Sequence, residues 1–212
     1  MAAVRWLFCL LILSSGPALA TGAARCPVHD AAVSGANEID FKDICQGIAS
    51  ALAFFAAHGL EATEPLSVQV AHPLPKEAGP TASGCFVEYK RTIYVAPFTE
   101  FRKNATWFGV ALATHEAAHA VASYNFSIPN PTIQAKEYLA YVAMFASMPA
   151  ALRQKALAGM PAERFDSFDR FTPLLYMFDP MRFGAGAYRH FSALPDPSSV
   201  IRTVLTGKAL TD

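Results

Sequence analysis

An α+β fold is what the sequence predicts, from three observations: one amphipathic helix near the N-terminus, three short strand-like runs after it, and an almost wholly helical remainder. The first helix is read from Asp40, a fair N-cap, with Ile44, Ile48, Leu52 and Phe55 recurring at three- and four-residue spacing and Gly59 suited to its C-cap. Strands are read at residues 66–71, 85–89 and 92–96. The last two are rich in β-branched and aromatic residues and separated only by Lys90 and Arg91, which means a hairpin with an unusual turn or one strand with a bulge. Pro73, Pro75, Gly79, Pro80 and Gly84 make the segment between the first two an irregular loop, suited to the border of a cleft. Helices are then expected from about 106 to 123 and from Pro131, favoured in a first turn after Asn130, to about 147. Further helical segments at 149–157, 165–178 and 181–191 are set off by Gly159, Pro161, Pro173 and Pro180.

Residues 1–20 read as a signal peptide, because Arg5 precedes the apolar run from Trp6 to Leu13 and Ala18-Leu19-Ala20 forms a small-residue cleavage site. That run is too short to cross about 30 Å of hydrocarbon, so no membrane anchor is expected after cleavage behind Ala20. Cys9 lies inside the run and not just after it, unlike the cysteine of a lipoprotein. Residues 21–212 are of a size for one domain with one core, and the expected location is secreted or periplasmic. Of 17 basic side chains, removal of Arg5 leaves 16 against 17 acidic, with no long run of either sign; neither nucleic acid nor an anionic membrane is expected as partner. Cys26, Cys45 and Cys85 remain, an odd set that allows one disulfide of undetermined pairing. They are widely spaced and form no C-x-x-C pair, which argues against a shared metal site.

Residues 115–119 read His-Glu-Ala-Ala-His. At about 3.6 residues per turn, His115 and His119 fall on one helical face, where both imidazoles can reach one ion. Glu116 is rotated by roughly 100° from His115, so it need not ligate and can approach a metal-bound water as general base. The neighbours Phe108, Val110, Leu112 and Val121 offer apolar surface, and Ala113, Ala117, Ala118 and Ala120 allow close packing. The second helix carries Glu137 in an apolar setting, where an unpaired charge is costly and metal binding would satisfy it.

On these residues the segment from about 66 to 147 resembles the gluzincins, zinc peptidases in which a His-Glu-x-x-His helix is followed by a second helix giving a glutamate ligand. The resemblance implies a zincin-like arrangement: N-terminal helix and small mixed sheet, active-site helix, glutamate-bearing helix, then further C-terminal helices. It implies one zinc ion held by His115, His119 and Glu137, the last standing eighteen positions after His119. Thermolysin-like members place an aspartate four residues after the glutamate to orient the first histidine; here that position is Tyr141, which leaves the partner of His115 unassigned. The stretch Ala117 to Val121 is also similar to membrane-bound ATP-dependent zinc peptidases, whose third ligand is a distant aspartate, so Asp166, Asp169 and Asp179 stand in reserve.

Three protein ligands leave zinc an open position, as catalytic sites do. The expected activity is therefore hydrolysis of a peptide or protein substrate by a zinc-bound water that Glu116 activates. Tyr188 and His190 resemble in type the oxyanion donors of gluzincins, with Tyr138 and Tyr141 competing for the role. By chain order, residues 92–96 are the nearest strand for a substrate to lie along. The alternative is a non-catalytic zinc-binding module with a peptidase-like fold that binds a protein or envelope partner. Glu116 favours the enzyme, because a site that only binds zinc needs no base there.

Overall fold

The computed structural model describes residues 22–80, 82–99, 107–163 and 165–211. The signal-peptide reading at 1–20 and the expected helix start at 106 lie outside them. Among the described residues no helix is long and apolar enough to cross a membrane.

The architecture is α+β, with one small mixed sheet and seven α-helices among the described residues. The sheet comprises β1 (Ala24–Arg25), β2 (Ala32–Ser34), β3 (Ser67–Val70), β4 (Gly84–Val87) and β5 (Thr92–Val95), in the order β1-β2-β3-β5-β4. β2, β3 and β5 run parallel, whereas β1 and β4 lie antiparallel at the two edges. β4 and β5 form a hairpin whose turn is a 3-10 segment, Glu88–Lys90, closed by Arg91 in the left-handed conformation (φ 51°). β1 and β2 have no counterpart among the strands expected from sequence; two- and three-residue runs are too short to show alternation.

Helix α1 (Glu38–Ala57) begins earlier than Asp40, because Asn37 is the N-cap and accepts from the backbone of Ile39 and Asp40. Asp40 sits buried in the first turn, where its carboxylate accepts from the Asn37 side chain at 2.9 Å and from the Phe98 backbone at 3.4 Å. α2 (Phe108–Asn125) and α3 (Ile133–Ser147) follow the sheet, with Thr132 capping α3 through Ala135 N–H. α4 (Ala150–Ala158), α5 (Pro173–Phe178), α6 (Pro180–Ala193) and α7 (Pro197–Leu205) complete the chain. The last three share one start signal, an acceptor side chain (Thr172, Asp179 or Asp196) followed by proline at the first helical position. The helix expected over 165–178 is split into a 3-10 turn at Phe168–Arg170 and α5, since Pro173 fits a helix start and not an interior.

α3 is the central element: every residue from Glu137 to Phe145 is buried, the pattern of a helix enclosed on all sides. α2 packs between α1 and α3, and its small side chains Ala113, Ala117, Ala118 and Ala120 are all buried, with Ala113 set against Gly47 of α1. Cys26 and Cys45 form a disulfide that pins the N-terminal strands to α1, while Cys85 stays free on β4.

Candidate metal centre

His115 and His119 project from successive turns of α2, and Glu137 meets them from α3. The two Nε2 atoms are 3.1 Å apart; Glu137 Oε2 lies 3.3 Å from His115 Nε2 and its Oε1 lies 3.5 Å from His119 Nε2. A tetrahedral ion with bonds of about 2.0–2.1 Å requires ligand atoms separated by roughly 3.3–3.4 Å. Each histidine nitrogen lies near that distance from its neighbour and from one of the two Glu137 oxygens, and one ligand atom from each residue falls within 4.8 Å of the others, so this buried group can hold a metal ion. A second observation agrees: Glu137 Oε2 and His115 Nδ1 are buried without a hydrogen-bond partner, so the Glu137–His115 approach is not a formed hydrogen bond. Such atoms are expensive to leave unsatisfied, and a cation at the centre of the triangle would satisfy the carboxylate.

The electrostatics follow from burial and proximity. Burial works against a charge on Glu137, but the imidazoles of His119 and His115 outweigh it and hold the carboxyl well below its usual range. Two imidazoles this close cannot both carry a proton. Burial lowers His119 to about 4. On His115 burial acts the same way, but Glu137 overrides it and raises the pKa. Glu116 is also buried, and burial with the nearby Glu137 charge pushes it up to about 7, His115 opposing. It does not belong to the metal triangle and lies against β4 instead: a Cβ on Gly84 would fall 2.9 Å from Glu116 Oε1, so only glycine lets strand and carboxylate approach this closely.

These groups open onto a cavity of about 490 Å³ bounded by β4, by Ala78 and Ala82 of the proline-rich loop, and by Tyr176 of α5. Tyr176 was not among the residues singled out from sequence. Burial and the neighbouring Glu137 carboxylate keep its phenol protonated, and its hydroxyl helps to hold Glu137 ionised. The signal that could have found it is its place in an apolar run between two prolines, Pro173 and Pro180.

Tyr188 and His190 are not brought to this cavity. His190 is buried among Phe168, Phe171 and Tyr138, whose hydroxyl reaches Nδ1 at 2.7 Å. Tyr188 packs against Phe145 and under the Arg153 guanidinium. α6 turns these side chains away and presents Gly184 instead, where any side chain would collide with the Tyr141 ring. Tyr141 in turn meets the His115 ring edge-on, with centroids 4.6 Å apart, as packing and not as a hydrogen-bond partner. None of Asp166, Asp169 and Asp179 joins the triangle; Asp179 caps α6. The strand expected to border the site is corrected too. β5 is paired on both sides, so the open edge is β4, which chain order alone does not reveal.

Fold and site together define an α+β protein with a buried two-histidine, one-glutamate centre able to bind a metal ion, and a further carboxylate beside it. Residues 31–212 match the family described as a family of unknown function, DUF6639, and the chain belongs to that family. No curated protein and no solved structure matches it.

Proposed function

We propose that the protein is an exported zinc-dependent peptidase of the gluzincin type, its α+β fold being a zincin-like one. The observation that carries this reading is the division of labour among four buried groups: three close a ligand triangle, while Glu116, on the same helix as the two histidines, turns its carboxylate against the glycine of β4. His115, His119 and Glu137 would hold the zinc, which would supply a Lewis acid to polarise the substrate carbonyl. Glu116, raised towards neutrality by burial, takes the proton of the attacking water and delivers it to the leaving amine. The Tyr176 hydroxyl, kept protonated and directed to Glu137, lines the cavity and can turn to the developing oxyanion, the role expected of Tyr188 or His190.

β4 supports the binding of an extended substrate. Ser83 O accepts from Ala96 N–H, so in the antiparallel ladder Ser83, Cys85 and Val87 turn their peptide groups toward β5. Gly84 and Phe86 therefore turn theirs outward along the cavity, where a peptide can add as a further strand. The lack of a partner for His115 Nδ1 favours a second reading, a non-catalytic zinc module, because hydrolytic sites usually tether that nitrogen.

Zinc analysis combined with peptide-library cleavage by wild type and Glu116→Gln separates the two. The peptidase reading expects equal zinc content and a loss of turnover of about 10²–10⁴-fold in the variant. Equal cleavage by both proteins removes Glu116 from the mechanism. Full zinc with no cleavage by either leaves the binding module.

A further inference from the structure

α5 is apolar on every side, yet it lies at the surface. Leu175 and Tyr176 pack inward, while Leu174, Met177 and Phe178 are 63%, 70% and 81% exposed, and Met181 on the adjoining turn of α6 is 40% exposed. A helix without a polar face is normally enclosed, so the outer stripe at spacing i, i+3, i+4 lacks the cover that its composition calls for. The same helix carries Tyr176 into the metal cavity, and Ile133, 49% exposed, lines that cavity as well. None of the four stripe residues lines the cavity, but Leu174, Met177 and Phe178 stand on the outer face of the short helix whose Tyr176 borders it.

From this we infer that Leu174, Met177, Phe178 and Met181 form an exosite for an apolar stretch of the polypeptide substrate. The inference rests on the peptidase reading and extends it: the protein acts on unfolded or apolar-tailed chains in preference to short polar peptides. Other occupants fit less well. Four side chains expose a few hundred Å² at most, short of the roughly 800 Å² per partner of a stable second copy. The nearest cations in the chain, Arg170 and Arg182, are both paired with Glu163, so the patch offers them to no anionic lipid. A helix is about 10 Å across and an extended chain advances about 3.3 Å per residue, so the apolar stretch should begin roughly three or four residues from the bond at the metal.

Binding of two fluorescent peptides, identical except for a Leu/Phe or a Ser/Asn tail, tests this by anisotropy with the zinc-loaded protein. Wild type should bind the apolar-tailed peptide at least about tenfold more tightly, the scale of burying one large side chain. The double variant Met177→Ser/Phe178→Ser, and independently Leu174→Ser/Met181→Ser, should abolish that preference with zinc content unchanged. Equal binding of the two peptides by wild type, or a preference that survives both variants, overturns the exosite. So does sedimentation of wild type with phosphatidylcholine vesicles, or a dimer that the double variants convert to monomer. Because binding and cleavage are read separately, a tail preference with no cleavage leaves the exosite standing and removes the peptidase reading; cleavage blind to the tail does the reverse.

Discussion

Glu137 and Tyr138 are neighbours on α3, and each faces buried histidine, but on opposite terms. Glu137 meets His115 and His119 in a triangle of acceptors and near-acceptors that leaves its Oε2 and His115 Nδ1 unpaired. Tyr138 meets His190 in a completed 2.7 Å hydrogen bond walled by Phe168 and Phe171. Both settings are desolvated, so exposure does not tell them apart. What does is satisfaction: a polar pair that completes itself belongs to the core, and one left incomplete is shaped for something else.

Metal analysis breaks or sharpens that contrast most directly. His119→Ala should reduce bound zinc from near one equivalent to less than about a tenth, because two remaining ligands cannot close the triangle, whereas His190→Ala should leave zinc content at the wild-type value. Equal loss in both variants would make the two histidine groups one system. Next in size is Tyr138→Phe, which deletes a buried hydrogen bond and strands His190 Nδ1. Denaturant unfolding should show a loss of about 1–3 kcal/mol with zinc unchanged.

The smallest effect is in acid. Burial depresses His190 below its ordinary 6.5, so the unfolded chain takes up that proton first as pH falls. The associated stability is complete above about 6.5 and drains away as pH drops through the folded pKa. In zinc-free protein, the melting-temperature gap between wild type and His190→Gln should therefore narrow from pH 7 to pH 5. A constant gap would show that His190 does not titrate differently in the two states.

The metal triangle was legible in sequence because helical periodicity alone aligns residues four apart, and because a carboxylate amid Tyr138, Leu139 and Ala140 needs a counter-charge. The α+β order and the two site-bearing helices were legible for similar reasons, since strong local patterns fix them. Tyr176, Tyr188 and His190 show where that reasoning stops: which aromatic reaches the cavity depends on the break at Asp179 and Pro180, which redirects the chain between α5 and α6. β1, β2 and the Cys26–Cys45 pairing were hidden for a related reason, because each is set by distant partners and not by its own residues. α7, with an acid-proline start of the same kind as α6, lay in a stretch for which no element was proposed.

Gly84 gives one of these contacts a wider meaning. Strand and helix are held at a separation set by the absence of a single carbon atom, so Gly84 works as a spacer gauge between them. The carboxylate it gauges stands on α2 with His115 and His119, close enough to feel the charges of His115 and Glu137. One added methyl group would press first on that carboxylate, so in a member of this family with alanine at that position Glu116 would have to move.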